Sequence, residues 1–136
     1  MEINLVCGTN FHLIENFISE VKNNNEFEFE RINSEFILKE EIWSHISTFS
    51  MFSKKKVVII DSLLSKIASQ EKEGSWEGFF DDIKSNESPN VIYIVEKIEN
   101  EKDLISLLRR NIFKGVDFIK KEFNLPTGRG SFEKIN

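Results

Sequence analysis

A single cysteine, Cys7, is present, so no disulfide can close within the chain, and a reducing, cytoplasmic setting is the natural expectation. Cys7 lies inside an apolar run. A thiol there, with no polarising neighbour or base, packs as a small hydrophobe and is not a nucleophile. The two prolines, Pro89 and Pro126, fall in stretches that read as loop and tail. No apolar run approaches the roughly 20 residues needed to span a bilayer. The opening Met1-Glu2-Ile3-Asn4 lacks the basic start and apolar core of a signal peptide. Positive charge is in the minority: a net charge of −5 does not advertise nucleic-acid binding by the chain as a whole, and direct DNA contact is not evident. The histidines, His12 and His45, belong to separate helical stretches with no cysteine nearby, so they do not form a metal site. Asp81-Asp82 and Glu99 to Asp103 read as solvated faces, and nothing pairs them into an acid–base couple.

What remains is an ordinary globular composition. At 136 residues, 40% hydrophobic and 30% charged, the chain suits one domain large enough to bury a core. Thirteen Phe against one Tyr point to a core filled with phenylalanine.

Hydrophobic periodicity orders the elements. Ile3 to Cys7 is a short apolar run ending at Gly8, the pattern of a strand buried on both faces. Thr9 or Asn10 can cap the helix that follows, whose stripe is Phe11, Ile14, Ile18 and Val21, widened by Phe17. Asn23-Asn24-Asn25 stops it. Phe27, Phe29 and Arg31 alternate with Glu28, Glu30 and Ile32, as in a more exposed strand near an edge. Lys39 to Phe49 reads as a helix with Glu40 and Glu41 at its favourable end and Ile42, Ile46 and Phe49 on its apolar face. Val57 to Ile60 is the strongest strand. Leu63, Leu64, Ile67 and Ala68 mark a helix, Gln70 to Gly74 a polar break, and Trp76, Phe79, Phe80 and Ile83 a further stripe. After the loop Ser85 to Asn90 come the apolar strand Val91 to Val95 and a helix carrying Leu104, Leu107 and Leu108. Strands separated by helices predict an α/β fold, three-layered, with a mainly parallel sheet and helices on both faces.

A strand, a glycine and a helix form the place where nucleotide-binding α/β folds hold phosphate. After Gly8, however, there is no second spaced glycine, no lysine and no Ser/Thr at the spacing a phosphate loop requires. Asp61 ends an apolar strand like the magnesium-binding aspartate of such enzymes. Without a phosphate loop it reads instead as the cap of a helix starting at Ser62. No cofactor is implied. Gly128-Arg129-Gly130 reads as tail.

One stretch fits none of these patterns. In Thr48-Phe49-Ser50-Met51-Phe52-Ser53-Lys54-Lys55-Lys56, an apolar pair stands where turn chemistry places Gly, Asn or Pro. Met51-Phe52 either plugs the core or is displayed to a partner. The three lysines read as a solvated loop or as a contact to a phosphate backbone.

Three segments resemble the N-terminal domain of the delta subunit of bacterial DNA polymerase III, the clamp loader, over roughly Ile3 to Arg110. They are Leu5-Val6-Cys7-Gly8-Thr9-Asn10-Phe11-His12-Leu13-Ile14-Glu15, the run from Ile46 to Ile60 with its apolar pair and basic residues, and Val91 to Val95 before a charged helix. The resemblance implies an AAA+-like domain, residues 1–115, that has lost its phosphate loop. It implies no catalysis by this chain, although the family is classed with DNA-directed DNA polymerases, which are nucleotidyltransferases. In the family this domain binds the ring-shaped sliding clamp (beta) and helps open it, while the gamma/tau and delta prime subunits complete the loader. By motif, Met51 and Phe52 would enter a clamp pocket, flanked by Ser50 and Ser53, with Lys54, Lys55 and Lys56 as electrostatic support. Met for the usual Leu keeps size and polarisability. The family is longer, with a lid and a collar that do not fit here. Residues 116–136, including Phe118 to Phe123, are expected to begin the connection to a missing lid or to form a tail. The rival readings are a nucleotide-binding α/β enzyme using Gly8 and Asp61, and a structural subunit of another assembly.

Overall fold

The computed structural model describes residues 1–24, 26–48 and 55–126. Five strands, β1 (Ile3–Gly8), β2 (Phe27–Asn33), β3 (Lys55–Asp61), β4 (Val91–Lys97) and β5 (Phe118–Glu122), form one sheet in the order β2-β3-β4-β1-β5. Every neighbouring pair is parallel. The helices are α1 (Phe11–Lys22), α2 (Lys39–Ser47), α3 (Leu63–Ser69), α4 (Phe79–Ser85) and α5 (Glu101–Leu108).

Handedness decides which face each helix covers. From β1 the chain crosses to the far edge at β2. It then steps back through β3 and β4 and passes over β1 to β5. Right-handed crossovers require the one leftward connection, α1, to lie on the face opposite the others. The two cores obey this rule. Ile14 and Ile18 of α1 pack on Val6, Val57, Ile59 and Val95. The alternate residues Leu5, Cys7, Val58, Ile60, Ile92 and Ile94 face Ile42 and Ile46 of α2, Leu63 and Ile67 of α3, Phe79 and Ile83 of α4 and Leu104 of α5. The expected three-layer α/β architecture is present, and β2 is an edge strand as its alternation predicted.

The larger core is built from phenylalanine edges. Phe79 meets Trp76, Trp43 and Phe80, and Phe80 meets Phe113 and Phe118, all in T-shaped contacts with centroids 5.0 to 6.1 Å apart. This is the geometry aromatic quadrupoles favour. Trp76 belongs to that cluster but not to α4. The helix starts only at Phe79, because Gly78 turns through a left-handed φ of 77° between them.

The sequence places Phe118 to Phe123 at the start of a connection, but Phe118–Glu122 is the fifth strand, pairing along β1 from Ile3↔Phe118 to Cys7↔Glu122. As an outer strand it exposes most of its residues and so carries Lys120, Lys121 and Glu122 instead of an apolar run. Leu125 and Pro126 are described, whereas the Gly128-Arg129-Gly130 tail and Phe49 lie outside the described residues. Among the described residues no helix is long and apolar enough to cross a membrane.

Candidate functional site

In a parallel sheet, ligands bind where the strands end at their carboxyl side. Here the turn after β1 is covered by the chain itself. Gly8 has φ 143° and lies so close to the next pass of the chain that a Cβ on it would stand 1.9 Å from the Phe123 carbonyl oxygen. The Phe123 amide donates to Cys7 O at 2.8 Å, and its carbonyl accepts from the Asn10 amide at 2.9 Å. Asn124 Oδ1 accepts from the Thr9 amide at 3.1 Å, and the Leu125 amide donates to Thr9 Oγ1 at 2.9 Å. Asn10 caps α1 through its side chain, which accepts from the Leu13 amide at 3.1 Å. The Thr9 and Asn10 amides, which follow the glycine where a nucleotide fold would hold phosphate, are therefore already bonded within the chain.

Beside this seam lies a network of charges. Arg31 donates through Nη1 and Nη2 to both Glu15 oxygens at 2.9 and 2.8 Å, and through Nε and Nη2 to Asp61 at 2.7 and 2.9 Å. Lys97 bonds the same Glu15 carboxylate. The Arg31 hydrogen bonds hold the Glu15 carboxyl down at about 2, and the two carboxylates push the Arg31 guanidinium upward. Asp61 is thus an ion-pair partner and not the cap of α3, which corrects the sequence reading. Ser62, with φ 63°, precedes α3 and makes no side-chain cap bond.

The cap of α3 comes from another strand. Glu96, fully buried on β4, accepts from the Leu64 amide at 3.0 Å, the Ser65 amide at 3.3 Å and Ser65 Oγ at 2.7 Å. Burial raises its carboxyl to about 7, against the pull of those donors. Cys7, its register neighbour on β1, is buried too, and desolvation pushes its thiol up to about 12. A thiol so reluctant to ionise is packing material, as its apolar surroundings predicted.

At the opposite, amino-terminal end of the sheet, α2 leads into β3. Ser50, Met51, Phe52, Ser53 and Lys54 lie outside the described residues. The two flanks are well tied. Asn90, 3% exposed, donates through Nδ2 to Ile46 O at 3.0 Å and Thr48 O at 2.8 Å, and accepts through Oδ1 from the Lys56 amide at 3.3 Å. A charged cluster adds to this: Lys56 Nζ lies 2.6 Å from Glu30 Oε2 and donates to His45 O at 3.1 Å, and His45 Nδ1 also meets Glu30. Lys56 is only 6% exposed. It is a strand residue whose charge is met inside the fold, not a member of a solvated lysine loop. Lys55 remains exposed at the strand's first position.

The residues that sequence reasoning missed are Glu96, Asn90 and Glu30. An acid directly after the run Val91 to Val95 was the only signal of the first. Asn90 looks like any loop residue before a strand.

Comparison with family models finds no match for the chain. Comparison with curated proteins finds none either. Among solved structures the chain is similar to the Bacillus subtilis DNA clamp loader delta protein, with a TM-score of 0.65 and 13% identity over 98% of this chain. The two share a fold. This chain covers 41% of the length of that protein. A second similarity, to the Aeropyrum pernix ORC2 protein, has a TM-score of 0.45 and 12% identity over 98% of this chain and 44% of that one. The five-stranded parallel sheet with helices on both faces is an α/β fold.

Proposed function

We propose that this chain is the non-catalytic, clamp-binding domain of a DNA clamp loader. It would bind the sliding clamp (beta) and help open it during loading for DNA replication, with gamma/tau and delta prime type subunits as its further partners. The observation that carries the reading is the seam along Gly8. The turn after β1, where nucleotide-binding α/β folds hold phosphate, is bonded to Phe123, Asn124 and Leu125, which supports a reading without a phosphate cradle. The fold shared with the clamp loader delta protein supports the same reading.

Under this proposal the binding anchor is Met51 and Phe52, flanked by Ser50 and Ser53, with Lys54 and Lys55 lending positive charge to encounter. An apolar pair entering a pocket is the form that interface hot spots take. The test is binding to the sliding clamp of the same organism by surface plasmon resonance. Met51→Ala with Phe52→Ala is expected to weaken binding by about 2 kcal/mol or more, roughly thirtyfold, with melting unchanged. Unfolding of the double variant makes the pair core and removes the displayed anchor. Tight binding of ATP with magnesium in calorimetry overturns the non-catalytic assignment.

A further inference from the structure

Between β2 and α2 two large apolar side chains stand almost bare. The backbone is extended through Ile37 and Leu38, so Ile37 packs on the larger core while Phe36 and Leu38 face water, 80% and 64% exposed. The chain beneath them is fixed. Ser34 Oγ donates to Asp61 O at 2.7 Å, and Lys66 Nζ donates to Ser34 O at 2.6 Å and to Ile37 O. Lys39 donates to Ser75 O and lies over the Trp76 ring. The cations of this corner are thus bound to the chain's own carbonyls. Glu35, Glu40 and Glu41 are exposed beside the apolar pair, and among the described residues none of the three is in an ion pair. The outer face of α5 has the opposite character. Leu104 holds that helix on the core, while Lys102, Ile105 and Arg109, spaced as one helical face, are all exposed, Ile105 at 48%. Among the described residues Lys102 and Arg109 are likewise in no ion pair. α3 packs against both α5 and the 3-10 turn Ser34–Phe36, so it stands between the two patches.

We propose that the chain associates with further copies of itself head to tail, the Phe36–Leu38 patch of one copy seated on the α5 face of the next. Charge and apolar surface match across such a contact: the three carboxylates meet Lys102 and Arg109, and Phe36 and Leu38 cover Ile105. The acidic rim also repels a phosphate-bearing partner. Because the contact joins two different patches, it is heterologous, and it closes into a ring or runs on as a filament. So few anchors belong to a weak, reversible interface of under about 1,200 Å². Neither Met51 nor Phe52 takes part, so self-association stands or falls independently of clamp binding.

The experiment is sedimentation velocity of the full chain over a wide range of concentration. The average mass is expected to rise with concentration at about 0.1 M salt and to fall back towards the monomer at about 1 M, where the screening length shrinks from about 10 to about 3 Å. Glu40→Lys with Glu41→Lys, and separately Lys102→Glu with Arg109→Glu, should each weaken association about tenfold or more by setting like charges against each other. Mixing the two variants in equal amounts should restore it, since each reversed patch then meets its opposite on the other variant. Phe36→Ser with Leu38→Ser should abolish association without lowering the melting temperature, because these side chains already face water. Should a charge-reversed variant fail to fold, this apolar variant and the salt dependence carry the test. A chain that is monomeric at every concentration overturns the proposal, as does assembly that stops at a dimer or that salt leaves unchanged. A mixture of the folded reversed variants that stays monomeric overturns it too, and so does a Phe36→Ser, Leu38→Ser variant that associates like the parent.

Discussion

Glu96 makes the chain's stability depend on pH in a direction opposite to that of most carboxylates. Its carboxyl is raised to about 7 from an ordinary 4.5, so the folded state holds a proton that the unfolded chain releases. Stability from this residue is therefore fully present below about pH 4.5 and falls as pH rises towards 7. The interval between the two values corresponds to about 3 kcal/mol, at about 1.4 kcal/mol per decade of proton affinity. Glu96→Gln mimics the neutral form. It keeps an acceptor for the Leu64 amide and offers its own NH2 to Ser65 Oγ, at the expense of the Ser65 amide bond. Urea unfolding of both proteins, followed by tryptophan fluorescence at pH 5, 6, 7 and 8, isolates the effect as a difference. The advantage of the Gln variant should grow by about 3 kcal/mol between pH 5 and pH 8. Glu15 does not confuse the comparison. Held down at about 2, it contributes stability above pH 4.5 that is lost only as pH falls through 2. A difference that stays constant, or that favours Glu96 at pH 8, would show that the three donors outweigh burial and would refute the reasoning.

Gly8→Ala places a Cβ 1.9 Å from the Phe123 oxygen at a φ of 143°, so a loss of about 3 kcal/mol is expected by urea unfolding, with faster amide exchange at Phe123 and Asn10. A loss under about 1 kcal/mol would mean that the seam yields easily. Asp61→Asn leaves Arg31 paired with Glu15 and should cost only about 1 kcal/mol with helix content by circular dichroism preserved. Melting of α3 in that variant would restore Asp61 as its cap.

Legibility in the sequence followed environment. β1, β3 and β4 lie inside the sheet, so continuous apolar runs gave them away. Ile14 and Ile18 marked α1 because one face of an isolated helix must be buried. β5 escaped because an outer strand covered on one side tolerates Lys120, Lys121 and Glu122, and the alternation is lost. The cap of α3 was misassigned for a different reason. Local rules look to the residue before the helix, whereas the acceptor, Glu96, lies 32 residues from Leu64 in sequence and reaches it only through the sheet. Lys54 to Lys56 read as one charge run, yet the first described pair divides into an exposed Lys55 and a buried Lys56, because alternate strand residues point to opposite faces.

The two ends of the sheet are chemically separate. β3 runs seven residues from Lys55 to Asp61, about 20 Å at the rise of an extended strand. At its carboxyl end, Asp61 is committed to Arg31 and the turn beyond Gly8 is committed to Phe123. At its amino end, polar groups converge on the backbone flanking the segment that carries Met51 and Phe52. Sites this far apart without shared partners contribute independently to stability. Asp61→Asn and Asn90→Asp should therefore lower stability additively, as urea unfolding of the two single variants and the double would read, and Asn90→Asp should leave the pH dependence carried by Glu96 intact. Coupling between the two would require the strand to transmit a change along its length. A core packed from Val58, Ile60, Ile92 and Ile94, each fully buried, resists such a shift, because displacing close-packed side chains costs more than losing a single surface ion pair.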